Sequence, residues 1–175
     1  MEVDDSYTKV LLHMDGADAS TTFTDESGKT WTRYGTAQID TAESKFGGAS
    51  GLFPGSGSYI QTPDSDDFTF GTGDFTIDFW MKRNGFTGQQ FLCGNDMDID
   101  AYGNHGVAIG FYTAGSNYLT ARAYGVGDIA SSIAISDTNW HHVALVRYGT
   151  DLRLYIDGVS AGYKTSSNAV ANSSL

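Results

Sequence analysis

The stretch that constrains this chain most is a hairpin near its C-terminal end. Trp140-His141-His142-Val143-Ala144-Leu145-Val146-Arg147 forms the first arm, Tyr148-Gly149-Thr150-Asp151 the turn, and Leu152-Arg153-Leu154-Tyr155-Ile156 the return arm. Along the return arm Leu152, Leu154 and Ile156 alternate with Arg153, Tyr155 and Asp157. Successive side chains on a strand point to opposite faces, so this pattern predicts a strand with one face in a core. The break between the arms carries Gly and Asp, as a short antiparallel connection should. Asp157-Gly158 is a second tight-turn dipeptide and predicts a further strand after it.

The same period recurs upstream. In Phe75 to Lys82, the residues Phe75, Ile77, Phe79 and Met81 fall on one face and Thr76, Asp78, Trp80 and Lys82 on the other. Thr8 to Met14, Thr30 to Tyr34, Ala37 to Asp40, Lys45 to Phe53, Ser58 to Thr62, Gln89 to Gly94, Gly106 to Thr113, Tyr118 to Tyr124 and Ile129 to Ile135 are further strand candidates, punctuated by Gly-, Ser- and Asp-rich turns. No apolar period of 3.6 survives over a helix length, so almost no helix is expected. About a dozen short strands with closely spaced turns predict an all-β chain folded as a two-sheet antiparallel sandwich. With 22 Gly, 2 Pro and 13% aromatics in 175 residues, the composition suits one such domain.

These residues carry a resemblance. W-H-H-V-A-L-V-R, a turn and L-R-L-Y-I-D-G resemble the hairpin of the laminin-G-like, concanavalin A-like jelly rolls. Leu11-Leu12-His13-Met14-Asp15-Gly16, Phe46-Gly47-Gly48-Ala49-Ser50 and Phe75-Thr76-Ile77-Asp78-Phe79-Trp80 fit the same family in the same order. The resemblance implies a polar lead-in at residues 1–7, a jelly-roll domain at 8–163, and a polar tail at 164–175. Members of the family continue past the hairpin into a closing strand that has no counterpart here. Two explanations stand: the chain is a fragment, or a homo-oligomer or other assembly covers the open sheet edge.

A formal net charge of -11, with ten Lys plus Arg, argues against nucleic acid and anionic membranes, both of which need basic surface. Cys93 is the only cysteine, so no intrachain disulfide forms. Met1 to Asp5 is acidic and shows no signal peptide. The expected setting is extracellular or virion-associated, reached by assembly into a particle.

Candidate chemistry is sparse. Asp96, Asp98 and Asp100 occupy alternate positions, like the Glu-Ile-Asp-Ile-Glu of retaining glucanases in the same sandwich class. Asp replaces both Glu, and the shorter arms converge less well on the spacing that retaining hydrolysis requires. The stretch also lacks the Gly and Glu of a calcium-binding helix-loop-helix, having Ala101 and Val107 there. A solvated acidic loop is the simpler reading, and the chain is read as non-enzymatic. Asp15, Asp18 and Asp25 lie in a long loop of the kind that sandwich lectins use for a structural or bridging Ca2+. Turn formation competes with that reading. His141 and His142 point to opposite faces and are expected to pack and hydrogen-bond.

The binding expectation comes from side chains that look away from the core. They are Asp78 and Trp80 on one strand, Tyr112 on a second, and Tyr118, Arg122 and Tyr124 on a third. If those strands are neighbours, rings and polar groups share one face. Such a face suits a sugar, whose C–H surfaces stack on rings while its hydroxyls meet polar groups, and it equally suits a protein partner. The functional expectation is a binding or adhesion module of a phage or bacterial surface protein such as a tail or fibre. It would bind glycan or neighbouring structural subunits. The alternative is a carbohydrate-binding module of an extracellular polysaccharide-degrading protein, with a glycoside hydrolase using Asp96, Asp98 and Asp100 ranked third.

Overall fold

The computed structural model describes residues 5–55, 57–95 and 106–171. Among these, twelve strands and one 3-10 turn at Asp66–Phe68 carry the regular structure. The strands are β1 (Thr32–Tyr34), β2 (Gln38–Asp40), β3 (Ser50–Leu52), β4 (Tyr59–Gln61), β5 (Phe75–Lys82), β6 (Gln90–Gly94), β7 (Val107–Phe111), β8 (Tyr118–Ala123), β9 (Gly127–Ala134), β10 (Trp140–Tyr148), β11 (Asp151–Ile156) and β12 (Val159–Thr165). All pairings are antiparallel. The chain is therefore all-β, as the period-2 pattern requires. No helix among the described residues is long and apolar enough to cross a membrane. The chain divides between Ser65 and Asp66 into two compact units.

The first unit is built from two small ladders, β1 with β4 and β2 with β3. Its core is Phe23, Ala37, Ile39 and Ala49, with Leu12, Met14, Trp31 and Ile60 packed against it. Thr8 to Met14 does not form the ladder strand expected of it. Leu12 makes only an isolated bridge to Asp25. Met14 has φ of 57°, in the left-handed region, where an extended strand cannot continue. Asp25, a candidate calcium ligand, is a hub for protein donors instead. Its Oδ1 accepts from the Leu11 N–H, the Ser27 N–H and the Ser27 hydroxyl, and its Oδ2 from the Trp31 indole N–H at 2.8 Å. Burial works to raise its pKa, but the Ser27, Trp31 and Leu11 hydrogen bonds outweigh it and hold the carboxyl below the usual range.

The second unit is a sandwich. One sheet runs β12-β11-β10-β5 and the other β6-β7-β8-β9. The inward residues of both sheets make one core, in which Val107, Ile109, Phe111, Leu119, Val143, Leu145, Leu152 and Leu154 are almost fully buried. Phe75, Ile77 and Phe79 pack on it from β5. The strand expected after Asp157-Gly158 is β12. Both turn residues have positive φ, 51° and 77°, as a two-residue hairpin turn matching the strand twist needs.

Two buried guanidinium groups hold opposite ends of the β5–β10 ladder. Arg83 follows β5 directly and Arg147 lies opposite Phe75 at the far end. Each is 3% exposed. Arg83 donates to Gln90 Oε1, Asn117 Oδ1 and the carbonyls of Ile135 and Ser116. It lies between the rings of Phe86 and Phe111, 4.4 and 3.8 Å from their centroids. Arg147 donates to four carbonyls: Gly149, Gly71, Ser166 and Asn168.

Arg147 thereby orders a segment whose composition suggests none. Val170 is 2% exposed and belongs to the core. Its N–H donates to the Gly71 carbonyl at 2.7 Å. Ala171 donates to Tyr124 O and accepts from the Gly106 N–H, so the tail connects the β5 end of one sheet with the β7–β8 end of the other. The hairpin has its own clamp at the opposite end. His141 Nδ1 lies 2.7 Å from Asp157 Oδ2, and its Nε2 3.0 Å from Asp137 Oδ1. Both ring nitrogens can donate only in the imidazolium form. Burial works to lower the His141 pKa, but the two carboxylates outweigh it and raise the pKa above the ordinary 6.5.

Three outcomes are expected. Asp25→Ala leaves several part-buried donors without their acceptor and destabilises the first unit by about 2 kcal/mol, read as a lowered urea midpoint. Arg147→Met leaves four part-buried carbonyl contacts without their donor and costs about 1 to 3 kcal/mol, with faster amide exchange at Val170 and Ala171. Stability against pH should form a dome. The His141 contribution is complete below about 6.5, the unfolded histidine value, and is lost as pH rises through the raised folded value. The Asp157 carboxyl is lowered, since its bonds to His141 and the His142 N–H outweigh burial. Its contribution is present above about 3.9 and lost as pH falls through the folded value. Thermal scans of His141→Ala should flatten the alkaline limb; an unchanged limb contradicts the clamp.

Candidate functional site

The outward side chains of β5 and its neighbours follow from register. Trp80 lies opposite His142, Asp78 opposite Ala144, and Ala144 opposite Tyr155 of β11. Because Phe79, Val143 and Leu154 take the core side, Asp78, Trp80, His142 and Tyr155 look outward. Trp80 is 38% exposed. Its ring centroid is 5.2 Å from that of His142, with the planes tilted by 43°. His142 Nε2 lies 3.0 Å from Asp78 Oδ2, and the carboxylate accepts, so the imidazole donates. The backbone N–H of His142 is held by Asp157 Oδ1 at 2.9 Å, which fixes the strand beneath the ring. An indole, a carboxylate and an imidazole therefore share one solvent-facing patch. The ring supplies an apolar platform and the pair supplies hydrogen-bonding groups that are already oriented.

The remaining predicted residues lie elsewhere. Tyr112 follows β7, and Tyr118, Arg122 and Tyr124 belong to or follow β8, in the opposite sheet. β5 pairs with β10, not with β7 or β8, so the six residues do not form the single face that the sequence allows. Tyr112 and Arg122 do meet. The Arg122 guanidinium lies 3.7 Å from the Tyr112 ring centroid, and the Phe91 ring packs edge-on to Tyr112 at 5.1 Å. Arg122 Nε is 3.5 Å from Asp128 Oδ2, an ion pair without a hydrogen bond. The Tyr112 hydroxyl is buried without a partner, and burial pushes its pKa up to about 12. With one ring face under Arg122 and the hydroxyl enclosed, Tyr112 offers little to a ligand. Tyr118 and Tyr124 are exposed at the two ends of β8.

Asp15, Asp18 and Asp25 are not drawn together. Among the described residues no group of three or more His, Cys, Asp or Glu side chains could hold a metal ion. Asp25 is occupied by the donors named above, Asp18 Oδ1 accepts from the Thr41 N–H, and Asp15 lies against Gly47. Calcium needs six to eight oxygens, and these carboxylates do not gather to begin that shell. Asp96, Asp98 and Asp100 fall outside the described residues. Cys93 is partly buried, and burial pushes its thiol up to about 11, away from the thiolate form.

His142, Tyr155, Arg153 and Tyr163 are the members of the outer face that sequence reasoning did not select. The signal was present, since the same alternation that buries Leu152 and Leu154 turns Arg153 and Tyr155 outward. Arg153 is tied to Asp151 at 2.9 Å and lies 5.4 Å from the Tyr163 ring centroid.

Residues 54–174, well over half of the chain and including all of β5 to β12, match the model of the concanavalin A-like lectin/glucanases superfamily. No curated protein matches the chain. The matched region holds both sheets of the sandwich, the hairpin and the ordered tail. A superfamily of lectins and glucanases supports a carbohydrate- or ligand-binding module in general. On the strength of that match and of the sandwich that carries it, the chain belongs to the concanavalin A-like lectin/glucanases superfamily.

Proposed function

We propose that the chain is a non-catalytic glycan-binding module, working through the outer face of the β12-β11-β10-β5 sheet. The observation that carries this reading is the Trp80 ring standing beside the hydrogen-bonded Asp78–His142 pair. A pyranose presents an apolar C–H face and a rim of hydroxyls. The indole suits the first, and a carboxylate with an imidazole suits the second. Asp78 and His142 are partly solvent-exposed, so both can exchange water for ligand hydroxyls at small desolvation cost. The opposite face supports the choice by contrast, since Arg122 already covers the Tyr112 ring there.

Binding without turnover is the reading that the chemistry of this patch supports. Glycoside hydrolysis uses two carboxyl groups flanking the scissile bond, one to protonate and one to attack or activate water. Asp78 engages an imidazole instead. An adhesive component of a phage or bacterial surface is the setting this reading favours, in keeping with an acidic, Gly-rich module that has few prolines.

The test is retention on immobilised glycans. Trp80→Ala should lower affinity about tenfold or more, since loss of one stacked ring is worth on the order of 1.5 kcal/mol. The variant should keep its thermal midpoint within a few degrees, because Trp80 is partly exposed. Asp78→Asn should weaken binding less and shift its sugar preference. No release of reducing ends is expected from any retained glycan. Retention unchanged by Trp80→Ala would refute the assignment of this face.

A further inference from the structure

Three aromatic side chains lie diagonally across the same face. Trp80 is on β5, Tyr155 on β11 and Tyr163 on β12. Tyr155 shares its row with Ala144 and Asp78, two residues from the row of Trp80. Tyr163 shares its row with Arg153, Val146 and Thr76, two residues further on. Three inter-strand steps of about 4.8 Å and four residues of about 3.3 Å place Trp80 and Tyr163 on the order of 20 Å apart. Small side chains flank the middle ring: Ala144 on one side and Ser160, its partner on β12, on the other. The line from Trp80 to Tyr163 thus carries a ring at each end and one in the middle.

At Tyr163 this line meets a groove of about 510 Å³ between the edge strands β9 and β12, lined by Asp128, Ala130, Ser132, Ser160, Gly162 and Tyr163 among others. Its origin is topological. β9 ends one sheet and β12 ends the other, and no ladder joins them among the described residues. They touch through the Ser132 hydroxyl, which donates to Ala161 O at 2.9 Å, and through Gly162. A Cβ on Gly162 would come within 2.7 Å of Ile129 Cγ2, so only glycine lets the strands approach this closely. The groove offers hydroxyls, a carboxylate and an aromatic wall; Tyr163 is 66% exposed.

The geometry points to an extended neutral oligosaccharide, laid diagonally from Trp80 across Tyr155 to Tyr163 and ending in the β9–β12 groove. This rests on the glycan-binding reading and deepens it by specifying the length and charge class of the ligand. A single sugar reaches only one of the three rings, whereas a chain of several units engages all of them at once, each contact adding to the last. The ligand is neutral because the charged groups along its path already face one another: Asp78 lies 3.0 Å from His142, Asp128 3.5 Å from Arg122, and Arg153 is tied to Asp151 at 2.9 Å. Uronate, sialate or sulfate groups would have to compete with carboxylates for those partners.

The experiment uses the full chain on immobilised ladders of one to six units of glucose, galactose, mannose and N-acetylglucosamine, with a polygalacturonate ladder beside them. In at least one neutral ladder, affinity should rise about tenfold or more between two and five units. Tyr163→Ala should return the longer members to the level of the short ones and leave the short ones unchanged, while Trp80→Ala lowers both. Tyr163 is exposed, so its removal leaves the core intact, and the thermal midpoint verifies this. Affinity independent of length, indifference of the long members to Tyr163→Ala, or stronger binding of polygalacturonate overturns the diagonal path and leaves the glycan reading standing. Retention on none of the ladders overturns both.

Discussion

The arrangement of the second unit depends on one buried cation that has main-chain partners. Arg147 sits inside the sandwich and donates to carbonyls from the β10–β11 turn, from Gly71 ahead of β5, and from the tail. A buried charge without compensation is costly, and a guanidinium with its donors distributed over carbonyl dipoles meets that cost without a carboxylate. The bonds also work in reverse. They give partners to carbonyls in irregular segments, where no ladder would supply them. Removing this group unties three pieces of chain together, which is why the sheet end, the hairpin turn and the tail form a single construction.

Arg83 performs the matching task at the other end of β5, with two aromatic faces added to its acceptors. Between the two guanidinium groups the β5–β10 ladder runs through eight paired positions with no register shift, whereas β11–β12, β6–β7 and β8–β9 each carry one. An unbroken ladder spaces its side chains regularly. The outer patch of Asp78, Trp80 and His142 stands on that ladder, so the positions of ring and hydrogen-bonding groups are set by the longest unbroken pairing among the described residues. Asp157 adds to this. It holds the His142 N–H with one oxygen and His141 with the other, coupling the binding patch to the hairpin clamp.

Local periodicity explains which parts were legible beforehand. The inward and outward faces of β5, β7, β8 and β11 follow from alternation alone, because a strand with one face in oil admits no other solution. Strand order does not follow. Grouping Trp80 with Tyr112 and Arg122 required β5 to neighbour β7 or β8, and that adjacency is decided by pairings far apart in sequence. The loops were opaque for a different reason. Asp15, Asp18 and Asp25 look alike in sequence, yet only Asp25 is surrounded by donors, a consequence of where Leu11, Ser27 and Trp31 arrive in space. Val170 stands alone as an apolar residue among Ser, Asn and Ala, so no pattern marked it as core.

A hold that acts on carbonyl oxygens does not read side chains. Arg147 grips the path of the tail, and any residues that trace the same path satisfy it equally well. Side-chain identity along residues 166–171 therefore matters at three positions: Val170, which fills a space in the core, Asn168, whose amide donates to Gly125 O, and Ser166, whose hydroxyl accepts from the Asn168 N–H. The specificity moves to the surface the tail lies against. Gly125 has φ of 85°, and a Cβ there would stand 2.4 Å from Ala169 O. The motif that seats the end of this chain is thus written elsewhere, in an arginine on β10 and a glycine after β8, and kinship at this end of the fold should be sought in those two positions.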